Sequence, residues 1–137
     1  MRVRLTEWYG DDMLLPSVVP ELPVSDIEAA TRVWVQRMGF SVDWVYEDSL
    51  AGISKDAARI FLRRRTRQES ELRYVVTIWL NLGSAAEVDE LYSEWRSRGV
   101  AIADDLHTAA YNLREFTAED LDGNRIRVFY DLGRTGA

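Results

Sequence analysis

The chain has 137 residues, 47% hydrophobic and 29% charged, which suits one soluble domain with a real core and excludes collagen-like, low-complexity and wholly disordered classes. Without a cysteine it has no disulfide framework, thiolate zinc site, iron–sulfur cluster or cysteine nucleophile. Seventeen Lys and Arg against 23 Asp and Glu leave a net charge of −6, which repels nucleic acid and attracts cations.

Residues 1–17 read as an N-terminal arm, with Trp8 and Tyr9 as candidate anchors. Met1-Arg2-Val3-Arg4-Leu5 opens no apolar run of signal length and no stretch reaches bilayer length, so we expect a cytoplasmic protein with no membrane partner. A strand is expected over 18–24. In Ser25-Asp26-Ile27-Glu28 the serine and glutamate have the N-cap and N3 spacing of a capping box, in which two orphan backbone donors are satisfied reciprocally. Ile27, Ala30, Val33, Trp34 and Met38 then recur at helical spacing, and Gly39 stands where a left-handed C-cap belongs. Period-two alternation predicts strands over 40–46, 50–54 and 59–64. The run Arg63-Arg64-Arg65 with Arg67, diluted by Glu69 and Glu71, reads as a solvated strand end and loop.

The same grammar then repeats about sixty residues later. A strand over 74–82 precedes Ser84-Ala85-Ala86-Glu87, a second capping box, and the stripe Val88, Leu91, Tyr92 and Trp95 ends at Gly99. Each helix is expected to carry arginine in its last turn, Arg37 in the first and Arg96 and Arg98 in the second, followed by the glycine. Strands are expected over 100–104, 113–118 and 125–130, the last after a tight Asp122-Gly123-Asn124 turn, and 131–137 reads as a fraying tail. The chain is therefore α+β, one structural domain made of two tandem βαβββ modules, 18–66 and 74–131.

The single histidine, His107, is expected in a loop after the strand that follows the second helix, exposed and without an orienting partner. Two histidines and a carboxylate cannot be assembled from one chain, the carboxylate pairs Asp104-Asp105 and Glu119-Asp120 are sequence neighbours that need not converge, and no Gly-x-Ser-x-Gly is present. These residues favour a binding protein over a catalyst, with no catalytic residue, metal or cofactor expected. Trp34 and Trp95 lie on the helix stripes and belong to the core. In the strand over 77–82 the aliphatic face is Ile78, Leu80 and Leu82, which leaves Trp79 with Thr77 and Asn81 as a mixed aromatic and polar lining suited to a ligand. Trp44 shares its face with Val42 and Tyr46, so alternation alone does not decide between core and groove.

Met38-Gly39-Phe40, the helix sequence Val88-Asp89-Glu90-Leu91-Tyr92-Ser93-Glu94-Trp95, and Arg114-Glu115-Phe116 before Asp120-Leu121-Asp122-Gly123-Asn124-Arg125-Ile126 carry a resemblance to a known family. So does Val19-Pro20-Glu21-Leu22-Pro23-Val24-Ser25-Asp26. Together they resemble the vicinal-oxygen-chelate superfamily of glyoxalases, extradiol dioxygenases and bleomycin-resistance proteins, and are most similar to the bleomycin-resistance branch. The resemblance implies curled mixed sheets around a groove, a homodimer, and aromatic rings that stack on a bleomycin-type glycopeptide antibiotic while acidic surface attracts its cationic tail. It puts Trp44, Leu50, Phe61, Arg63, Trp79, Asn81 and Asn112 on the groove lining, with Tyr111 beside it. The superfamily's metal-ligand positions carry Val19, Thr77 and Arg127, none a competent ligand. The branch's Pro-Trp-Gly is replaced by Tyr111-Asn112-Leu113, and Leu50 stands where an aromatic is common. The expected function is metal-independent sequestration of a bleomycin-type antibiotic without modifying it. The alternatives are another amphipathic small molecule, or a metal-dependent lyase or dioxygenase.

Overall fold

The computed structural model describes Leu14 and residues 17–133. Trp8, Tyr9 and the end of the expected tail lie outside the described residues. The strand signals become two four-stranded mixed sheets. The first has the order β1-β4-β3-β2, from β1 (Glu21–Val24), β2 (Ser41–Tyr46), β3 (Leu50–Lys55) and β4 (Ala58–Arg64). The second has the order β5-β8-β7-β6, from β5 (Thr77–Asn81), β6 (Ala101–Thr108), β7 (Leu113–Glu119) and β8 (Arg125–Asp131). β1 with β4 and β5 with β8 pair parallel, and the other neighbours pair antiparallel. Helix α1 (Ile27–Gln36) packs on the first sheet, and α3 (Ala85–Ser97) on the second. The architecture is the expected βαβββ repeated.

Three local readings need correction. The N-cap of α1 is Asp26, whose carboxylate accepts from the Ala29 amide at 2.9 Å; the Ser25 amide instead donates to Asp122 Oδ1 in the other module. At α3 the Ser84 hydroxyl does accept from the Glu87 amide, but the Glu87 carboxylate takes the Ser84 hydroxyl. The arginine run ends a strand as expected, at Arg64 of β4, but no loop follows: Thr66 and Glu69 form a reciprocal capping box that starts a short helix, α2 (Arg67–Glu71). Gly39 and Gly99 have φ of +82° and +80°, as left-handed helix ends require.

The core lies between each helix and its sheet. Trp34 and Trp95 are buried as expected, with Ile27, Ala30 and Met38 of the first stripe and Val88 of the second; Val33 is half-buried. The two modules meet through buried polar contacts. Trp95 Nε1 donates to the Met38 carbonyl at 3.1 Å. Asn124, fully buried, donates Nδ2 to the Pro23 carbonyl (2.8 Å) and to Asp120 Oδ2 (2.9 Å), and its Oδ1 accepts from the Val76 amide (2.9 Å). Burial raises the carboxyl of Asp120 above its ordinary value, against hydrogen bonds from Asn124 and the Asp122 amide that lower it. Among the described residues no helix is long and apolar enough to cross a membrane.

Candidate functional site

Each sheet turns one face to its helix and leaves the other open, and strand register fixes what the open faces carry. On the first, Glu21, Phe61, Gly52 and Trp44 stand in one row across the sheet, and Pro23, Arg63, Leu50 and Tyr46 in the next. On the second, the corresponding rows are Trp79, Arg127, Thr117 and Asp104, then Asn81, Phe129, Glu115 and His107. The same backbone positions thus hold mainly aromatic and apolar side chains in one module and mainly polar and charged ones in the other.

In the first module Trp44 is 36% exposed and meets Phe61 edge to face, with ring centroids 5.1 Å apart. It lies directly over Gly52, where a Cβ would come within 2.5 Å of the indole, so only glycine admits this ring position. A bulge between Val42 and Trp44 is why alternation could not assign that strand. Arg63, alone in the sequence, has two acids here. Its Nε donates to Glu21, and Nη1 and Nη2 donate to the Glu69 carboxylate at 2.8 and 2.9 Å. Those bonds hold the guanidinium above its ordinary value, and the Arg63 bonds hold the Glu69 carboxyl down at about 2. The cation is therefore neutralised within the face. Leu50 pairs with Arg63 across the sheet and is half-buried.

The second face is built around Glu115, which is 1% exposed. A carboxylate so deep in protein needs a partner charge. Arg127 Nη2 supplies it at 2.6 Å, and the Tyr111 hydroxyl donates to both carboxylate oxygens at 2.8 and 2.9 Å. The Glu115 bond and charge, with burial, raise the Tyr111 phenol above its ordinary value and keep it a donor. Burial opposes the Arg127 charge, but the bond and charge of Glu115 outweigh it and hold the guanidinium protonated. Arg127 in turn lies over the Trp79 ring, 4.0 Å from its centroid, while Phe129 meets the same indole edge-on at 5.4 Å. Trp79 remains 48% exposed, with Thr77 and Asn81 exposed beside it and Ile78 buried on the opposite face, as alternation predicts.

His107 departs from expectation. β6 continues to Thr108 through two irregularities in its pairing, so the histidine sits on a strand. Its Nδ1 lies 2.7 Å from the Asp105 carbonyl oxygen, which can only accept; Nδ1 therefore carries the proton, and Nε2 faces Glu115 Oε1 at 3.6 Å. Asp104, His107 and Glu115 offer ligand atoms within 4.8 Å of one another. Glu115 and Arg127 escape a reading of the sequence as site residues because they lie twelve residues apart and meet only diagonally across the β7–β8 pairing, where register sets Glu115 opposite Phe129 and Arg127 opposite Thr117; alternation within β7, which puts Glu115 on the face opposite buried Phe116, is the available signal. Asn112 takes φ +71° in the β6–β7 turn, its side chain against Gly133. The eight expected residues thus form two groups, Trp44, Leu50, Phe61 and Arg63 on one open face, and Trp79, Asn81 and Tyr111, with Asn112 at the strand end, on the other.

A family model for the glyoxalase/bleomycin resistance protein/dioxygenase superfamily matches residues 15–128. No curated protein sequence matches. Solved structures that share the fold include the following three. A glyoxalase/bleomycin resistance protein/dioxygenase from Nocardioides is 16% identical over 96% of this chain and 93% of its own, with a TM-score of 0.71. A lactoylglutathione lyase from Agrobacterium tumefaciens is 14% identical over 85% and 95%, at 0.69. TioX from Micromonospora sp. ML1 is 18% identical over 85% and 100%, at 0.68. The superfamily's expected metal positions, Val19, Thr77 and Arg127, do not fit an ion, since the first two lack a strong ligand and the third is a cation bonded to Glu115.

Proposed function

The chain belongs to the glyoxalase/bleomycin resistance protein/dioxygenase superfamily, and from that premise we propose that it is a metal-independent binding protein that sequesters a bleomycin-type glycopeptide antibiotic unaltered. The observation that carries this reading is Trp79. One face of its indole is covered by Arg127, which Glu115 and Tyr111 hold in place, so the half-exposed remainder is a stacking platform already set before a ligand arrives. Trp44, held edge-on against Phe61, is a second aromatic anchor, and Arg63 does not oppose a cation because Glu21 and Glu69 neutralise it. The net charge of −6 draws a cationic tail toward either face. A homodimer completes the reading: the aromatic face of one chain closes against the charged face of its partner, giving two equivalent grooves.

The test is a tryptophan-fluorescence and calorimetric titration with metal-free and copper-loaded bleomycin at low and moderate salt. Saturable, salt-weakened binding at one site per chain is expected, and Trp79→Ala should weaken it by about 1–3 kcal/mol. Unchanged affinity in that variant removes the site. Absence of binding by the wild-type chain moves the reading to another amphipathic small molecule on the same platforms. One observation favours a metal-dependent lyase or dioxygenase instead, namely the oriented His107 beside Glu115 and Asp104. Stoichiometric metal in the purified protein, lost on His107→Ala, would establish that alternative and overturn ours.

A further inference from the structure

The two modules are joined asymmetrically, and the cause is a difference in turn length. Five residues, Asp120 to Asn124, connect β7 to β8, whereas two, Asp56 and Ala57, connect β3 to β4. The long turn reaches across the junction and lays the Asn124 carboxamide on the outer edge of β1. The short turn sits at the same place in the repeat, opposite the outer edge of β5, and does not reach it. What remains between them is a cleft of about 320 Å³, lined by the Lys55 to Ala58 turn, Trp79 and Asn81 on one side and by Phe40, Leu91 and Trp95 within.

The backbone of β5 dictates what that cleft can satisfy. The Val76 carbonyl accepts from the Arg125 amide and the Leu82 amide donates to the Phe129 carbonyl, so even-numbered residues bond to β8 and the peptide groups of Trp79 and Asn81 point outward. On β1 the same rule holds, since Pro20 and Val24 accept from β4 and from Arg65 beyond it, and the outward group is the Pro23 carbonyl. Pro23 and Asn81 are equivalent, each three residues before its helix N-cap. Pro23 has no N–H, and its carbonyl is met by one N–H of the Asn124 carboxamide at 2.8 Å. Asn81 has both an outward N–H and an outward C=O, which matches the paired acceptor and donor of a carboxamide.

We infer that this open side of the module junction is a second ligand site, built for a compact aromatic ring bearing a carboxamide. The amide group takes the place that Asn124 fills on the latched side, and the ring packs among Phe40, Leu91 and Trp95. The volume is at the small end of ligand pockets and suits one ring system. Lys55, exposed at the mouth, is the cation of the lining, so an aromatic carboxylate is the natural competitor.

Benzamide, benzoate and toluene are titrated against the full chain, followed by amide and indole chemical shifts. Benzamide is expected to saturate at one site per chain, to shift the Trp79 and Asn81 amides most, and to bind at least tenfold more tightly than the other two. Leu91→Trp, which fills the cleft, should abolish the shifts. Because that variant can fail to fold, a second one replaces Asp56-Ala57 with Asp-Leu-Asp-Gly-Asn to copy the latch, and should block benzamide while raising Tm. Equal or tighter binding of benzoate, shifts that persist in the folded latch copy, or no saturable binding of benzamide each overturn the inference. The titration involves no antibiotic, so its outcome is separate from that of the reading above.

Discussion

Replacing Asn124 with alanine tests whether the junction is held as described. The side chain makes three hydrogen bonds, at 2.8, 2.9 and 2.9 Å, all within a residue that has no solvent exposure. Truncation leaves the Pro23 carbonyl and the Val76 amide without that partner and takes one donor from the buried Asp120 carboxylate. At roughly 1 kcal/mol for each neutral bond and about 1.5–3 for the bond to the carboxylate, the loss comes to roughly 3–5 kcal/mol. That is a large share of the 5–15 kcal/mol typical of a domain and corresponds to a fall in Tm of about 10–20 °C. The assay is urea unfolding followed by tryptophan fluorescence, since Trp95 reports from the junction through its bond to Met38. With an m-value near 2 kcal/mol/M the midpoint should drop by about 2 M. A drop equivalent to less than 1 kcal/mol would mean that water replaces the carboxamide at no cost, and would refute both the latch and the template drawn from it.

Two further outcomes are expected. Gly52→Ala should displace the Trp44 ring, costing about 1–3 kcal/mol from overpacking and changing the near-UV circular dichroism, whereas an unchanged spectrum and stability would show that the ring was free to sit elsewhere. For Glu69 the folded carboxyl lies at about 2 against an ordinary 4.5, so its contribution is complete above the ordinary value and disappears as pH falls from there toward 2. Wild type and Glu69→Gln should therefore differ in urea midpoint at pH 7 and converge by pH 2; a gap that does not change with pH would sink the ion pair as its cause.

Much of this fold was legible because its signals are local. Gly39 and Gly99 mark helix ends through a backbone angle that few other residues adopt, and Thr77 to Leu82 alternate cleanly because β5 is regular. The failures have equally local causes. Ser25 and Asp26 are both good caps, and the choice fell to Asp26 because a distant residue, Asp122, takes the Ser25 amide. Alternation predicts a strand ending at 104, whereas β6 runs on to Thr108, because irregularities in its pairing break the period-two pattern around Asp104. The open face was half visible: Trp79 follows from its own strand, but Glu115 becomes a site residue only when Arg127 is placed beside it, and no pattern along the chain pairs those two.

The turn asymmetry also bears on how this protein avoids aggregating. Two four-stranded sheets have four outer edges, and an exposed regular edge is a template for another chain. β2 and β6 are broken by pairing irregularities, and β6 adds Asp104 and Asp105; β1 carries Pro23 and is sealed by Asn124. β5 has none of these guards: its pairing is unbroken from Thr77 to Asn81, and it contains neither proline nor charge. Among the described residues, what stands opposite it is the β3–β4 turn, across the cleft. Any change that swings the modules apart therefore widens access to the least guarded edge among the described strands, which ties the solubility of the chain to the integrity of a joint that no single module contains.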